Sequence, residues 1–271
     1  MRIVLVIAGV LFLAGCGPHR GRVVAAFYPL AFAAQEIGGP GLRVENLTPA
    51  GAEPHDIELT PREVGDIQLA RVVLYLSHGF QPAVEQAVKG AHGKTIDVLQ
   101  GLRLRPGDPH VWLDPPAYSR MVRTIGDALG RPGAAATLAR RVDVLDAQFR
   151  RGLAHCRRRS FVTTHAAFGY LAARYGLQQI AITGVDPEAE PNAQRLASLA
   201  RLVQREHIRT VFFERLVSPK LADTIAREAG AKTAVLDPIE GLTPSEEKRG
   251  DDYFTLMRQN LHTLRTELGC R

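Results

Sequence analysis

Between residues 22 and 99 the chain alternates short apolar runs with stretches of helical period. "RVVAAF" (22–27) is a short, mostly apolar run of the kind a strand buried on both faces requires. "PLAFAAQEIGG" follows with helical spacing and stops at Gly38-Gly39. "LRVENLTP" predicts a second strand that ends at Pro49. "TPREVGDIQLA" predicts a helix in which Thr60 is the N-cap, Pro61 takes the first helical position and Glu63 completes a capping box. "RVVLYLS", "AVEQAVKGA" and "KTIDVLQ" continue as strand, helix and strand. Strands alternating with helices imply βαβ units and a parallel sheet, because each helix returns the chain to the edge from which the next strand starts.

Residues 161 to 268 repeat the pattern. "SFVTT", "QQIAITG", "TVFFE" and "KTAVLD" predict strands, separated by helices of about ten or more residues with Gly176 and Gly230 as stop signals. The architecture repeats but the sequence does not. Between the halves, Leu138, Val142, Leu145, Phe149 and Leu153 form one apolar stripe at helical spacing, with arginines opposite. About 20 helical residues make a rod of roughly 30 Å. The expected fold class is therefore α/β: two lobes (22–130 and 158–271), each a mostly parallel sheet flanked by helices, joined by one long rigid helix (131–157).

The first residues differ from this pattern. Met1-Arg2 is a minimal basic start, and Ile3 to Ala14 is wholly apolar or small. Such a run is too short to span about 30 Å of hydrocarbon as a helix, and it suits a signal peptide over 1–15. Leu13-Ala14-Gly15-Cys16 resembles a bacterial lipobox, which makes Cys16 the expected lipidation site and 16–21 a lipidated tail. Acyl chains there would hold the protein at a membrane, outside the cytoplasm. In that oxidising setting Cys156 and Cys270 can pair, with two unpaired thiols as the alternative. The formal charge of +6 is scattered apart from Arg157-Arg158-Arg159 and similar pairs. No nucleic-acid motif accompanies it, so it reads as solvation with some attraction to anionic lipid.

Candidate chemistry lies in the histidines. Six of the nine, among them His78, His92, His155, His207 and His262, sit in turns, tails or helix surfaces. Three differ. His55 in "AGAEPHDIELTP", His110 in "DPHVWLDP" and His165 in "FVTTHAAFGYLAARYG" each fall at the C-terminal end of an expected strand or in the loop beyond it. Open α/β sheets bind ligands in that crevice. Asp237 in "TAVLDPIEG" also ends a strand and is the expected fourth member, with Glu214 a weaker candidate. Asp114 reads as a helix cap, and Glu53 and Asp56 as supports for His55. Trp112, the single tryptophan, belongs beneath the site or in the core. Three imidazoles and a carboxylate suit Zn²⁺, whereas Mn²⁺ prefers more oxygen.

Six segments, in order, resemble the bacterial ABC-transporter substrate-binding proteins that take up zinc or manganese: "GAEPHDIELTPREV", "DPHVWLDP", "FVTTHAAFGYLAARYG", "VDPEAEPNAQRLASLA", "FFERLVSPKLADTIAREAGA" and "LDPIEG" followed by "DDYFTLMRQNL". The resemblance implies two α/β lobes joined by a long helix, with metal held between them by His55, His110, His165 and Asp237. Manganese members often carry Glu at the third position, so His165 favours zinc, although a few manganese-linked members also have His there. Zinc members often carry a His-rich acidic loop between the first two ligands, and this chain has the short basic "GLRLRPGDPH" instead.

The expected function is that of a lipid-anchored extracytoplasmic receptor. It captures Zn²⁺ and passes it to an ABC permease and its ATPase, as a monomer and without turnover. Manganese transport is the alternative. A metallohydrolase would need an open coordination position and a general base, and no HExxH motif is present. A third reading is an adhesin-like surface protein, since the family the chain resembles has members so described.

Overall fold

The computed structural model describes residues 21–271. The expected leader (1–15), the lipidation site Cys16 and the tail up to Gly21 lie outside the described residues.

The first lobe runs β1 (Val23–Ala25), α1 (Tyr28–Gly38), β2 (Val44–Asn46), α2 (Pro61–Leu69), β3 (Val72–Tyr75), α3 (Pro82–Ala87), β4 (Lys94–Asp97) and α4 (Pro115–Leu129). The long helix α5 (Pro132–Leu153) follows. The second lobe runs β5 (Ser160–Thr163), α6 (Gly169–Arg174), β6 (Gln178–Ala181), α7 (Ala193–Arg205), β7 (Thr210–Phe213), α8 (Lys220–Ala229), β8 (Lys232–Val235), α9 (Pro244–Arg249) and α10 (Tyr253–Leu268). Among the described residues each sheet has four parallel strands, ordered β2-β1-β3-β4 and β6-β5-β7-β8. The two lobes therefore share one winding, as the two α/β halves of the sequence lead one to expect.

Local signals act where they are written. Thr60 and Glu63 form the expected reciprocal cap on α2. Thr243 and Glu246 form a second such cap on α9. Gly230 ends α8 in the left-handed conformation that lacks a Cβ clash. Two expectations differ from the structure. The first helix of the second lobe, α6, has six residues instead of ten, because the chain leaving β5 spends Thr164 to Phe168 in a turn around His165. Asp114 occupies the N-cap position of α4 but makes no side-chain cap bond. Its carboxylate faces Arg174 of the second lobe instead, at 3.8 Å.

The stripe on α5 is buried throughout, from Leu138 to Leu153. It packs on α4, α1 and α10. Each such side chain contributes roughly 1.5–3 kcal/mol, so the seam is costly to open. One apolar core continues from Val23 and Trp112 through Phe149 to Tyr175, Phe212 and Tyr253. Stacking of Tyr118 on Tyr253, with ring centres 4.2 Å apart, joins α4 to α10 within it. A smaller core lies between the second sheet and helices α7 and α8. The disulfide Cys156–Cys270 ties the segment after α5 to the end of α10.

Candidate metal centre

Loops beyond the C-terminal ends of both sheets meet between the lobes. His55 comes from the loop after β2, His110 from the loop after β4 and His165 from the turn after β5. The three imidazoles converge, with ring centres 5.2–6.0 Å apart. His110 and His165 are fully buried, and the His55 side chain is 12% exposed.

The carboxylate that joins them is that of Glu240. Its Oε1 lies 3.0 Å from His110 Nε2, 3.3 Å from His55 Nε2 and 3.5 Å from His165 Nε2. His55, His110, His165 and Glu240 thus form one cluster whose donor atoms all lie within 4.8 Å of each other. Asp237, the expected fourth member, is not in it. Its Oδ1 accepts the Ile239 amide at 2.7 Å, and its Oδ2 faces Arg215 at 3.4 Å. Asn260 holds the Asp237 backbone from both sides. Asp237 therefore builds the turn that presents Glu240. That turn passes through Ile239 at φ 57°, a conformation rare for a β-branched residue. The surroundings keep it there: Ile239 is fully buried, Trp112 Nε1–H donates to Pro238 O at 2.7 Å, and Gly51 N–H donates to Leu242 O at 2.7 Å. The last two bonds cross between the lobes.

A second layer sets the imidazole tautomers. Asp108 Oδ1 accepts from His110 Nδ1–H at 2.9 Å and from its backbone N–H at 3.0 Å. Glu214 Oε1 accepts from His165 Nδ1–H at 2.6 Å and from the Thr164 hydroxyl at 2.6 Å. A carboxylate can only accept, so both Nδ1 atoms carry protons and both Nε2 atoms face the cluster. Glu214 thus lies behind one of the clustered imidazoles. Asp108 does the same work, and its signal was the Asp-Pro-His turn itself, in which an Asp folds back on the amide two residues on. Glu53 accepts from the His55 and Asp56 amides and so shapes the loop, and its charge acts on the His55 ring. Beneath the cluster, Phe80 packs edge-on to His55 and Trp112 packs on His110, with ring centres 4.7 Å and 5.1 Å apart.

Burial works against ionisation of Glu240, but the three imidazoles outweigh it and hold the carboxyl well below its usual range. Burial likewise disfavours the His165 imidazolium. Glu214 and Glu240 reverse this and push its pKa up to about 10. His55 is shifted upward as well, with burial opposed by Glu240. Burial pushes the Asp237 carboxyl up to about 7.

The family model for the periplasmic zinc-uptake complex component A matches residues 23–267. The zinc-binding protein AdcA of Streptococcus pyogenes (serotype M6) is 38% identical over 285 residues, covering 90% of this chain and 55% of the relative. The chain therefore spans about half the length of that relative. The high-affinity zinc uptake system protein ZnuA of Bacillus subtilis is 32% identical over 279 residues, covering 91% and 87%. Among solved structures, the Zn(II)-bound ZnuA-like domain of Streptococcus pneumoniae AdcA superposes with a TM-score of 0.81 at 36% identity, covering 92% of this chain and 99% of that one. The laminin-binding protein Lmb of Streptococcus agalactiae, described as having adhesin and metal-transporting activity, gives 0.84 at 28% identity, covering 91% and 99%. With two parallel-sheet lobes, a histidine cluster between them and a match over nearly the whole described chain, this protein belongs to the zinc-uptake complex component A family.

Proposed function

We propose that the chain captures Zn²⁺ between its lobes and delivers it to a membrane ABC permease. His55 and His110 come from the first lobe (22–130), His165 and Glu240 from the second (158–271), and α5 is the stiff spacer between them. The observation that carries this reading is the spacing of the donor atoms. Ligands at about 2.0–2.1 Å in a tetrahedron stand roughly 3.4 Å from one another. His110 Nε2 and His165 Nε2 are 3.4 Å apart, and Glu240 Oε1 is 3.0–3.5 Å from all three imidazole nitrogens. Three nitrogens and one oxygen suit zinc better than manganese.

Transport fits this site better than turnover does. Four protein donors fill a tetrahedron and leave no position for an activated water. Residues 1–15 act as the export signal, and acylation of Cys16 holds the mature monomer on the outer side of the cytoplasmic membrane. The permease and its ATPase are the partners. Metal analysis of protein purified without added metal tests the reading, with about one zinc per chain expected. A preference for manganese in competition would change the cargo and leave the transport role, whereas no bound divalent metal would remove the receptor role.

A further inference from the structure

Helices α5 and α10 pack in parallel. Near the start of the pair the Arg141 guanidinium lies over the Phe254 ring, 4.4 Å from its centre. Further along, Gly152 allows Leu261 and Arg265 to approach closely. The disulfide Cys156–Cys270 closes the far end. The groove between the helices is lined by Arg141, Val144, Gln148, Arg151, Arg258 and Arg265. Arg141 pairs with Glu36. Arg151, Arg258 and Arg265 are exposed and form no ion pair among the described residues. Arg157 packs against Gly269 beside the disulfide and adds another cation. Val144, in the same groove, is 58% exposed, more than any other large apolar side chain among the described residues.

Clustered cations with no ion pair, here Arg151, Arg258 and Arg265, repel one another, and an anionic surface relieves that repulsion. Guanidinium groups pair with phosphate through two hydrogen bonds at once. An exposed valine among arginines adds an apolar contact that a soluble acidic partner would not need. The position of the groove points the same way. In a parallel βαβ unit, α1 returns to the edge where β1 begins. Glu36, near the end of α1, therefore lies at the edge where the chain enters at Gly21, and its pairing with Arg141 puts the groove's first arginine there too.

We propose that the α5–α10 groove docks on the anionic phospholipid headgroups of the membrane to which the chain is tethered. This rests on the lipid-anchored receptor reading. The test uses the chain from Gly17 onward, which keeps every described residue and carries no acyl chain. It is co-sedimented with phosphatidylcholine vesicles, with and without phosphatidylglycerol. Binding should require phosphatidylglycerol and weaken as salt is raised. The triple variant R151Q/R258Q/R265Q should bind about 100-fold more weakly. The charge-matched variant K89Q/R103Q/R201Q, altered at exposed positions elsewhere, should keep most of its binding. Equal losses in the two variants, or no phosphatidylglycerol-dependent binding by the parent chain, would overturn the proposal. Zinc stoichiometry is measured on all three proteins: retained zinc without vesicle binding removes only the docking face, and absent zinc in the parent removes the receptor reading.

Discussion

The Nε2 atoms of His110 and His165 lie 3.4 Å apart although the two residues come from opposite lobes. Each ring is held from behind by a carboxylate on its Nδ1, so neither can turn away without breaking that hydrogen bond. Two imidazoles aimed at one point are a preorganised half of a cation site. Replacing either by alanine removes one of four donors, and His110→Ala or His165→Ala should each weaken zinc binding on the order of 100-fold or more. His92→Ala, distant from the cluster, should change nothing. Competition against a chelator of known affinity checks all three, and equal losses would show that the cluster is not the binding site.

The carboxylates behind the rings should matter nearly as much as the rings. Glu214→Gln keeps the size of the side chain but removes the charge that steers His165, and Asp108→Asn does the same for His110. Each should lower zinc affinity roughly 10–100-fold with the fold intact. Asp237→Asn should cost far less, because its carboxylate serves the Ile239 turn and lies outside the cluster. An Asp237→Asn loss as large as that of a Glu240→Gln variant would contradict the arrangement.

These residues also separate what the amino-acid sequence makes legible from what only the fold decides. The eight strands were legible because parallel strands buried on both faces must be apolar and short, and Gly, Pro and capping residues bracket them. The three histidines were legible because each ends or follows a strand on the side where two such sheets face each other. The carboxylate was not. Asp237 ends β8 as the pattern suggests, but its side chain turns back on the Ile239 amide. Glu240 reaches the cluster only because Ile239 adopts φ 57°. No residue type announces that turn, since isoleucine is the wrong residue for it in isolation and tolerates it here through burial. A glutamate enclosed by apolar neighbours in "DPIEGL" was the available signal. Asp114 departs from its pattern in the same way: it stands at a helix start, yet its side chain makes no cap bond and faces Arg174 of the other lobe.

Removing the disulfide should lower stability and spare the site. Cys156 and Cys270 are separated by 114 positions, and a crosslink closing so long a loop is worth about 3–5 kcal/mol through the unfolded chain. The C156S/C270S variant should therefore unfold at a lower temperature, and reduction of the parent protein should give the same shift. Leu264 and Leu268 still anchor α10 in the core, and the other end of α10 keeps the Tyr253 hydroxyl donating to Trp112 O at 2.6 Å. Zinc stoichiometry should stay unchanged. Loss of zinc together with the crosslink would mean that the lobes depend on it for their relative position.

Trp112 offers a direct optical readout. It is the single tryptophan, is fully buried, packs on His110 and donates to Pro238 in the loop that carries Glu240. A divalent charge placed on His110 changes the field across the indole, so zinc titration should shift emission intensity with a break at about one equivalent. His110→Ala should abolish the change. A response that survives this substitution would place the metal elsewhere.

The site should also bind zinc in competition with protons. With a pKa raised to about 10, His165 in the metal-free protein carries both ring protons at pH 7, one donated to Glu214 and one facing Glu240. Zinc needs the Nε2 lone pair, so binding must expel that second proton. At least one proton should therefore be released per zinc at pH 7, and apparent affinity should rise about tenfold per pH unit for each proton released. Stability follows the same linkage. An unfolded histidine titrates near 6.5, so the raised native value stabilises the metal-free protein fully below about pH 6.5, and that contribution fades as pH climbs towards 10. Zinc, which needs the neutral ring, gains over the same interval. The increase in Tm on adding buffered zinc should thus widen between about pH 6 and pH 8. Calorimetry in buffers of different ionisation enthalpy counts the protons, and thermal melts across pH give the stability. No proton release, with a zinc-induced Tm gain independent of pH, would show that His165 is already neutral before the metal arrives.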